Sequence, residues 1–326
     1  ALTELILTGC SKLEFGNFSY NEISDVDLTD CTALTQFSCY HNPIYTIDVS
    51  KNTKLKTLNC GMSGISTLDV SMCPDLENLY CANAELTSVN IQNCNKLKVL
   101  QLAGDNNELT ELDVRHCVDL RELFVSHNGL TELDVSKCKK LEVLECGSNK
   151  LSELNISGLT ELLVVNCSFN KGIKELDLSQ ASKLIELYCA ITGISSLDLS
   201  ACTPLQRLDC WQSEITSLNL HGLKELQQLN CFKCNMTSLD VSDNTKLASI
   251  NCYMNKLISL DLSQNIELQS LSCSNNEIRE LDLTHNTELS AIDVERNKLW
   301  RLNITGLQLT SLDCNYNHLI SSLDLE

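Results

Sequence analysis

From Leu130 to Lys150 the chain reads LTELDVSKCKKLEVLECGSNK. Two runs share one pattern: Leu130, Leu133 and Val135 are apolar with polar residues between them, and Leu141, Leu144 and Cys146 repeat that spacing. The alternating end of each run has the period of two that marks a strand with one face buried. The remainder, Ser136 to Lys139, leaves no space for a helix. Leucines in the same register open coils at Leu13, Leu34, Leu55, Leu76, Leu97, Leu120, Leu141, Leu162, Leu184, Leu205, Leu226, Leu247, Leu268, Leu289 and Leu309. Most steps are 21 residues, with two extra near Asp105 to Glu108 and one near Lys171 to Gly172. A fixed period of this length predicts a solenoid of about fifteen coils. With strands on both sides of each coil, the pattern predicts a mainly β fold with two parallel sheets and little or no helix.

Each coil follows L-x-x-L-x-C-x-x-N-x-L-x-x-L-D-[LV]-S, whose first eleven positions carry the leucine-rich repeat signature. In these residues the chain resembles the 21-residue class of bacterial leucine-rich repeat proteins, including cysteine-ladder internalins and related surface proteins. The resemblance covers essentially the whole chain and implies one right-handed solenoid domain over residues 1–326.

Nineteen cysteines suggest a disulfide scaffold until they are placed in this register. Eleven share the sixth position of the coil, from Cys39 and Cys60 through Cys146 to Cys314, where other coils put Phe18, Leu102, Val125 or Val294. There cysteine serves as a small buried hydrophobe. Seven more, among them Cys31, Cys73 and Cys138, share the nineteenth position with Asn52, Asn244, Asn265 and Asn286. A thiol donates weakly in place of the asparagine amide. Stacked cysteines have parallel Cα–Cβ directions, which does not suit a disulfide, so free thiols are expected. Cys231-Phe232-Lys233-Cys234 has the spacing of a metal or redox motif, but Cys231 sits at the sixth position and Cys234 at the ninth, so the register alone explains the pair. As a turn residue, Cys234 is expected to be the most reactive thiol.

Only 12 glycines and 3 prolines punctuate the chain, which argues against a mosaic of loops. Its 43 acidic and 24 basic residues give a formal charge of -19, which disfavours nucleic acid and anionic membrane partners. No apolar run is long enough to span a bilayer, and Ala1 opens directly into repeat sequence, so neither direct membrane insertion nor a signal peptide is expected in this stretch. The end coils carry no recognisable cap, and exposed ends of a solenoid need covering. The fifteenth position is Asp or Asn in every coil, usually followed two residues later by Ser or Thr, and this predicts side chains bonded into the following turn. The aspartates come singly, unlike the ligands of a calcium site. The six histidines fall at different coil positions, with no reproducible serine, cysteine or carboxylate partner. No catalytic, metal or cofactor constellation is therefore expected.

Exposed positions along a solenoid add up to an extended recognition surface. At the seventh position most coils carry Gly, Ala or Ser, but three consecutive coils carry Trp211, Phe232 and Tyr253, which would stack into an aromatic ridge. Tyr188 and Asp209 at fifth positions, Arg207 at a third and Lys233 at an eighth lie beside it, and the ninth-position asparagine is replaced there by Thr192, Ser213 and Cys234. Trp, Tyr and Arg are the residues of binding hot spots. A weaker second candidate joins Tyr40, His41, Tyr80 and Phe124. The resemblance implies a non-catalytic module, extracellular or on the bacterial cell surface, whose partner is a protein. A glycan-binding module and a structural spacer for a further domain are the alternatives.

Overall fold

A computed structural model describes residues 1–317 and, as a backbone strand, 322–324. His318, Leu325 and the side chains of Leu323 and Asp324, which the repeat assigns to the last coil, lie outside the described residues. The chain divides into two compact units, Ala1–Leu162 and Leu163–Glu326.

The first unit contains β1 (Phe15–Asn17), β2 (Gln36–Ser38), β3 (Thr57–Asn59), β4 (Thr67–Asp69), β5 (Asn78–Tyr80), β6 (Ser88–Asn90), β7 (Val99–Gln101), β8 (Glu122–Phe124) and β9 (Val143–Glu145). Its front sheet runs β1-β2-β3-β5-β7-β8-β9, and the pairs are parallel and in register. The second unit contains β10 (Val164–Asn166), β11 (Glu186–Tyr188), β12 (Arg207–Asp209), β13 (Gln228–Asn230), β14 (Ser249–Asn251), β15 (Ser270–Ser272), β16 (Glu280–Asp282), β17 (Ala291–Asp293), β18 (Arg301–Asn303), β19 (Ser311–Asp313) and β20 (Ser322–Asp324). Its front sheet runs β10 to β15, then β17 and β19, again parallel throughout. The described residues contain no helix.

Each front strand except the last, β19, buries its middle residue, the fourth of the coil, and turns the third and fifth outward. Leu58, Leu79, Leu144, Leu187 and Leu208 are fully buried in this way, as are first-position leucines such as Leu55 and Leu205. Burying one such side chain contributes roughly 1.5–3 kcal/mol, and every coil adds another set to the column. Among the described residues, the second side forms a sheet only at β4–β6 and at β16–β18–β20. Elsewhere on that side Leu28, Val49 and Leu178 still point inward, so core burial rather than ladder bonding holds the segments there.

The turn after each front strand has a fixed geometry. Its eighth residue is left-handed without being glycine, as in His41 (φ 56), Ser148 (φ 54) and Gln212 (φ 52), except after β7, where Gly104 (φ 142) takes the place. Such a conformation costs roughly 1–2 kcal/mol, and a backbone bond between coils offsets it: the N–H of His41 donates to Gly61 O at 3.0 Å and that of Gln212 to Phe232 O at 2.9 Å. The ninth-position asparagine closes the turn. Asn255 donates to Cys231 O and Cys252 O, both at 2.9 Å, and its Oδ1 accepts from the N–H of Met236 at 2.9 Å. The nineteenth position works alike: Asn52 Nδ2 donates to Leu28 O at 3.1 Å, and in the next coil the Cys73 thiol donates to Val49 O at 3.7 Å.

Candidate recognition surface

In the second unit, identical coil positions in successive parallel strands repeat at the strand spacing, about 4.8 Å. Side chains at the seventh position are therefore forced into contact. Trp211 and Phe232 have ring centroids 4.7 Å apart and planes inclined by 10°, a parallel stack. Phe232 meets Tyr253 at 6.2 Å with a 48° tilt. Phe169 extends the row: it meets Trp211 at 5.7 Å and 81°, edge to face. The coil between them carries the small Ala190 at its seventh position, which leaves the gap that the two large rings close. Trp211, Phe232 and Tyr253 are half-buried rather than openly exposed, whereas Phe169 is 47 % exposed. The pattern of seventh positions missed Phe169 because it is an eighth-position residue; its left-handed backbone (φ 60) turns it out of the coil.

The front strands place the polar neighbours. The Arg207 guanidinium lies 5.0 Å from the centre of the Tyr188 ring, the geometry of a cation–π contact. Tyr188 in turn donates its hydroxyl to Glu186, which fixes the ring against the sheet. Asp209 accepts from Asn230 Nδ2 at 3.2 Å through one oxygen, while the Asn230 Oδ1 is covered and without a donor. Burial raises the Asp209 carboxyl above its ordinary value; the Asn230 amide, the Arg207 charge and the Trp211 N–H pull it part of the way back. One coil along the row, Asn251 Oδ1 accepts the Tyr253 N–H at 3.3 Å. Fifth-position side chains thus anchor the backbone that carries the rings. Lys233 is exposed, and its N–H donates to Tyr253 O at 2.8 Å.

All nineteen cysteines are free. Burial pushes the thiols of Cys94, Cys167 and Cys252 up to about 12. Cys234 departs from what its place in a turn suggests: it is only 1 % exposed. Its Sγ stands where an asparagine amide would, donating to Cys210 O at 3.3 Å, with Ser213 Oγ at 3.8 Å. A hydrogen bond from the Cys210 thiol, helped by Ser213 and the Gln212 backbone, holds Cys234 down to about 7. The accessible thiols are instead Cys10 and Cys314, in the outermost coils.

The second candidate divides. Tyr40 and His41 come together with Tyr20, which the pattern did not select, whereas no ring contact joins Tyr80 or Phe124 to them among the described residues. His127 pairs with Asp105, and His221 with Asp243, on exposed turns. His116 Nε2 lies 2.8 Å from Ile91 O. The Asp column behaves as read from the sequence: Asp134 Oδ1 accepts the Ser136 N–H at 2.9 Å and Asp240 Oδ1 that of Ser242 at 3.0 Å. Among the described residues, Asp293, Glu295 and Asp313 bring carboxylate oxygens within 4.8 Å of one another. Ser274 already donates to Asp293 at 2.7 Å and Arg296 engages Glu295 at 3.1 Å.

No family model and no curated protein matches the chain. Among solved structures it is similar to the functional domain of InlJ from Listeria monocytogenes, which includes a cysteine ladder, at 33 % identity and a TM-score of 0.85 over 88 % of this chain. The chain has the leucine-rich repeat fold. It spans 64 % of the length of that InlJ domain. A leucine-rich repeat protein of Leptospira interrogans (20 % identity, TM-score 0.79, 93 % of this chain and 84 % of that one) shares the fold. So does the internalin InlF of Listeria monocytogenes (19 %, 0.71, 94 % and 88 %). The sixth-position thiols are a cysteine ladder of the kind the InlJ domain contains.

Proposed function

We propose that this leucine-rich repeat solenoid is a non-catalytic protein-recognition module of the bacterial surface or secreted kind, and that the row Phe169, Trp211, Phe232 and Tyr253 is the centre of its binding face. The observation that carries the reading is the Trp211–Phe232 stack. The two rings turn a face to each other, and Phe169 meets Trp211 nearly at right angles. Packed aromatics, half-buried beside Arg207, Tyr188, Asp209 and Lys233, are the material of a protein hot spot, where large rigid side chains exclude water around a few charged groups. A sugar ring needs an open aromatic face, which the stack withholds, so a protein partner is the better fit than a glycan. The similarity to the InlJ domain and the cysteine ladder support a place among surface-associated repeat proteins.

Parallel capture experiments test this. Immobilised wild-type protein and a variant with Trp211→Ser, Phe232→Ala and Tyr253→Ser are presented to the same extracellular protein mixture, and to a glycan array. Retention of a defined protein by wild type alone supports the reading. Glycan binding by wild type that the variant loses, or identical retention by both proteins, contradicts it.

A further inference from the structure

The first unit carries a second aromatic cluster that is chemically unlike the row in the second. Tyr20 stacks on His41 at 5.2 Å and 26°, and meets Tyr40 edge-on at 5.4 Å and 71°. Tyr40 donates its hydroxyl to Met62 Sδ at 2.8 Å, which ties three successive coils together. Tyr20 and His41 project from the left-handed eighth position, so their rings stand off the turn instead of packing into it. Tyr20 is 69 % exposed and Met62 43 % exposed. His41 lies against one face of Tyr20, and the ring as a whole stays largely exposed. In the second unit, by contrast, Trp211 is met on both sides by rings.

The charge around the two clusters differs as well. Residues 1–50 hold seven Asp or Glu against one basic residue, Lys12, and Tyr20 is bracketed in the chain by the exposed Glu14 and Glu22. The row of the second unit has the cations Arg207 and Lys233 beside it. An exposed tyrosine ring attracts a cation through its quadrupole, and nearby carboxylates add to the attraction while repelling anions. We infer that Tyr20, Tyr40, His41 and Met62 form a second docking surface, whose occupant is a basic segment of a partner protein that lays an arginine or lysine over the exposed ring of Tyr20.

The chain as a whole is strongly acidic, so the test must separate this surface from general attraction. A short peptide alternating arginine with glycine is titrated against wild-type protein, Y20S/Y40S and Y20F/Y40F at physiological salt. None of these substitutions alters the charge. The serine variant is expected to bind about tenfold more weakly, through loss of the cation–π contact at Tyr20 and of the Tyr40 ring beside it, and the phenylalanine variant, which keeps the ring faces, to bind as wild type does. Phe232→Ala, in the other unit, is expected to leave this binding unchanged. Equal binding by wild type and the serine variant, no binding by wild type, or loss on Phe232→Ala each overturns the inference. The phenylalanine variant keeps the test decisive even if the serine variant folds poorly, because its failure to bind would exclude a ring-face role.

Discussion

Trp211 and Phe232, 21 residues apart in the chain, lie face to face with centroids 4.7 Å apart and planes within 10° of parallel. The contact exists because one residue per coil occupies each position of a parallel stack, so a pair of aromatics in register has no other place to go. Stacked aromatic pairs contribute about 0.5–1.5 kcal/mol beyond the area they bury. Phe232→Ala is therefore expected to cost about 1–3 kcal/mol with its lost burial. It should also shift the Trp211 emission toward that of a solvated indole; an unchanged spectrum contradicts the stack.

The core predicts a larger effect. Leu144 and Cys146 are both fully buried in the coil of β9. Leu144→Ala leaves a cavity and is expected to cost about 2–5 kcal/mol in urea unfolding. Cys146→Ser keeps the volume and should cost less, up to about 1–3 kcal/mol where the hydroxyl finds no partner. A near-neutral Leu144→Ala contradicts the register.

How far the sequence carries can be read from these residues. Leu144, Cys146 and Asn255 were legible because period and side-chain type define each position, and fifteen copies average away exceptions. The half-burial of Trp211 was not, since it depends on a ring arriving from two coils away across Ala190. Nor was the burial of Cys234: a turn position suggests solvent, but at the ninth position the side chain points back under the strand to bond Cys210 O. Tyr20 was passed over because the pairing with His41 needs the left-handed eighth residue, which no residue type announces. The use of Trp211, Phe232, Tyr253, Tyr188, Arg207, Asp209 and Lys233 in binding remains a proposal that rests on their chemistry.

Thiol chemistry separates acidity from access. Cys234 is held down to about 7 yet is 1 % exposed, so in the native protein a maleimide should label Cys10 and Cys314 first and Cys234 slowly. All nineteen thiols should titrate once the protein is denatured without reductant. Rapid native labelling of Cys234 would place it outside the turn bonds described.

Those bonds also predict a stabilising change. Asn255 satisfies two carbonyls and two N–H groups, whereas Cys234 reaches Cys210 O at 3.3 Å and Phe232 O at 3.5 Å with a weak donor. Cys234→Asn restores the ninth-position asparagine and is expected to gain about 0.5–1.5 kcal/mol, measured as a higher midpoint in urea. A loss of stability would show that the turn near Phe232 differs from its neighbours in shape.

The Asp column predicts a pH dependence with a definite sign. The Ser136 hydroxyl and N–H hold the Asp134 carboxyl below its ordinary value of 3.8. A carboxyl lowered on folding stabilises the fold above the unfolded value, and that contribution is lost as pH falls through the folded value. The melting-temperature difference between wild type and Asp134→Ala should thus be constant above about pH 5 and shrink below pH 4. A difference that grows on acidification contradicts the bond.

The central claim is that the aromatic row serves recognition more than stability, and one comparison tests it most directly. A purified partner obtained by capture is titrated against wild-type protein and the Trp211→Ser, Phe232→Ala, Tyr253→Ser variant, and the melting temperature of each is recorded. With each truncated hot-spot ring costing about 2 kcal/mol or more, affinity should fall by at least a hundredfold while the melting temperature drops by only a few degrees. An unchanged affinity with a large loss of melting temperature would assign the rings to packing and contradict the recognition role.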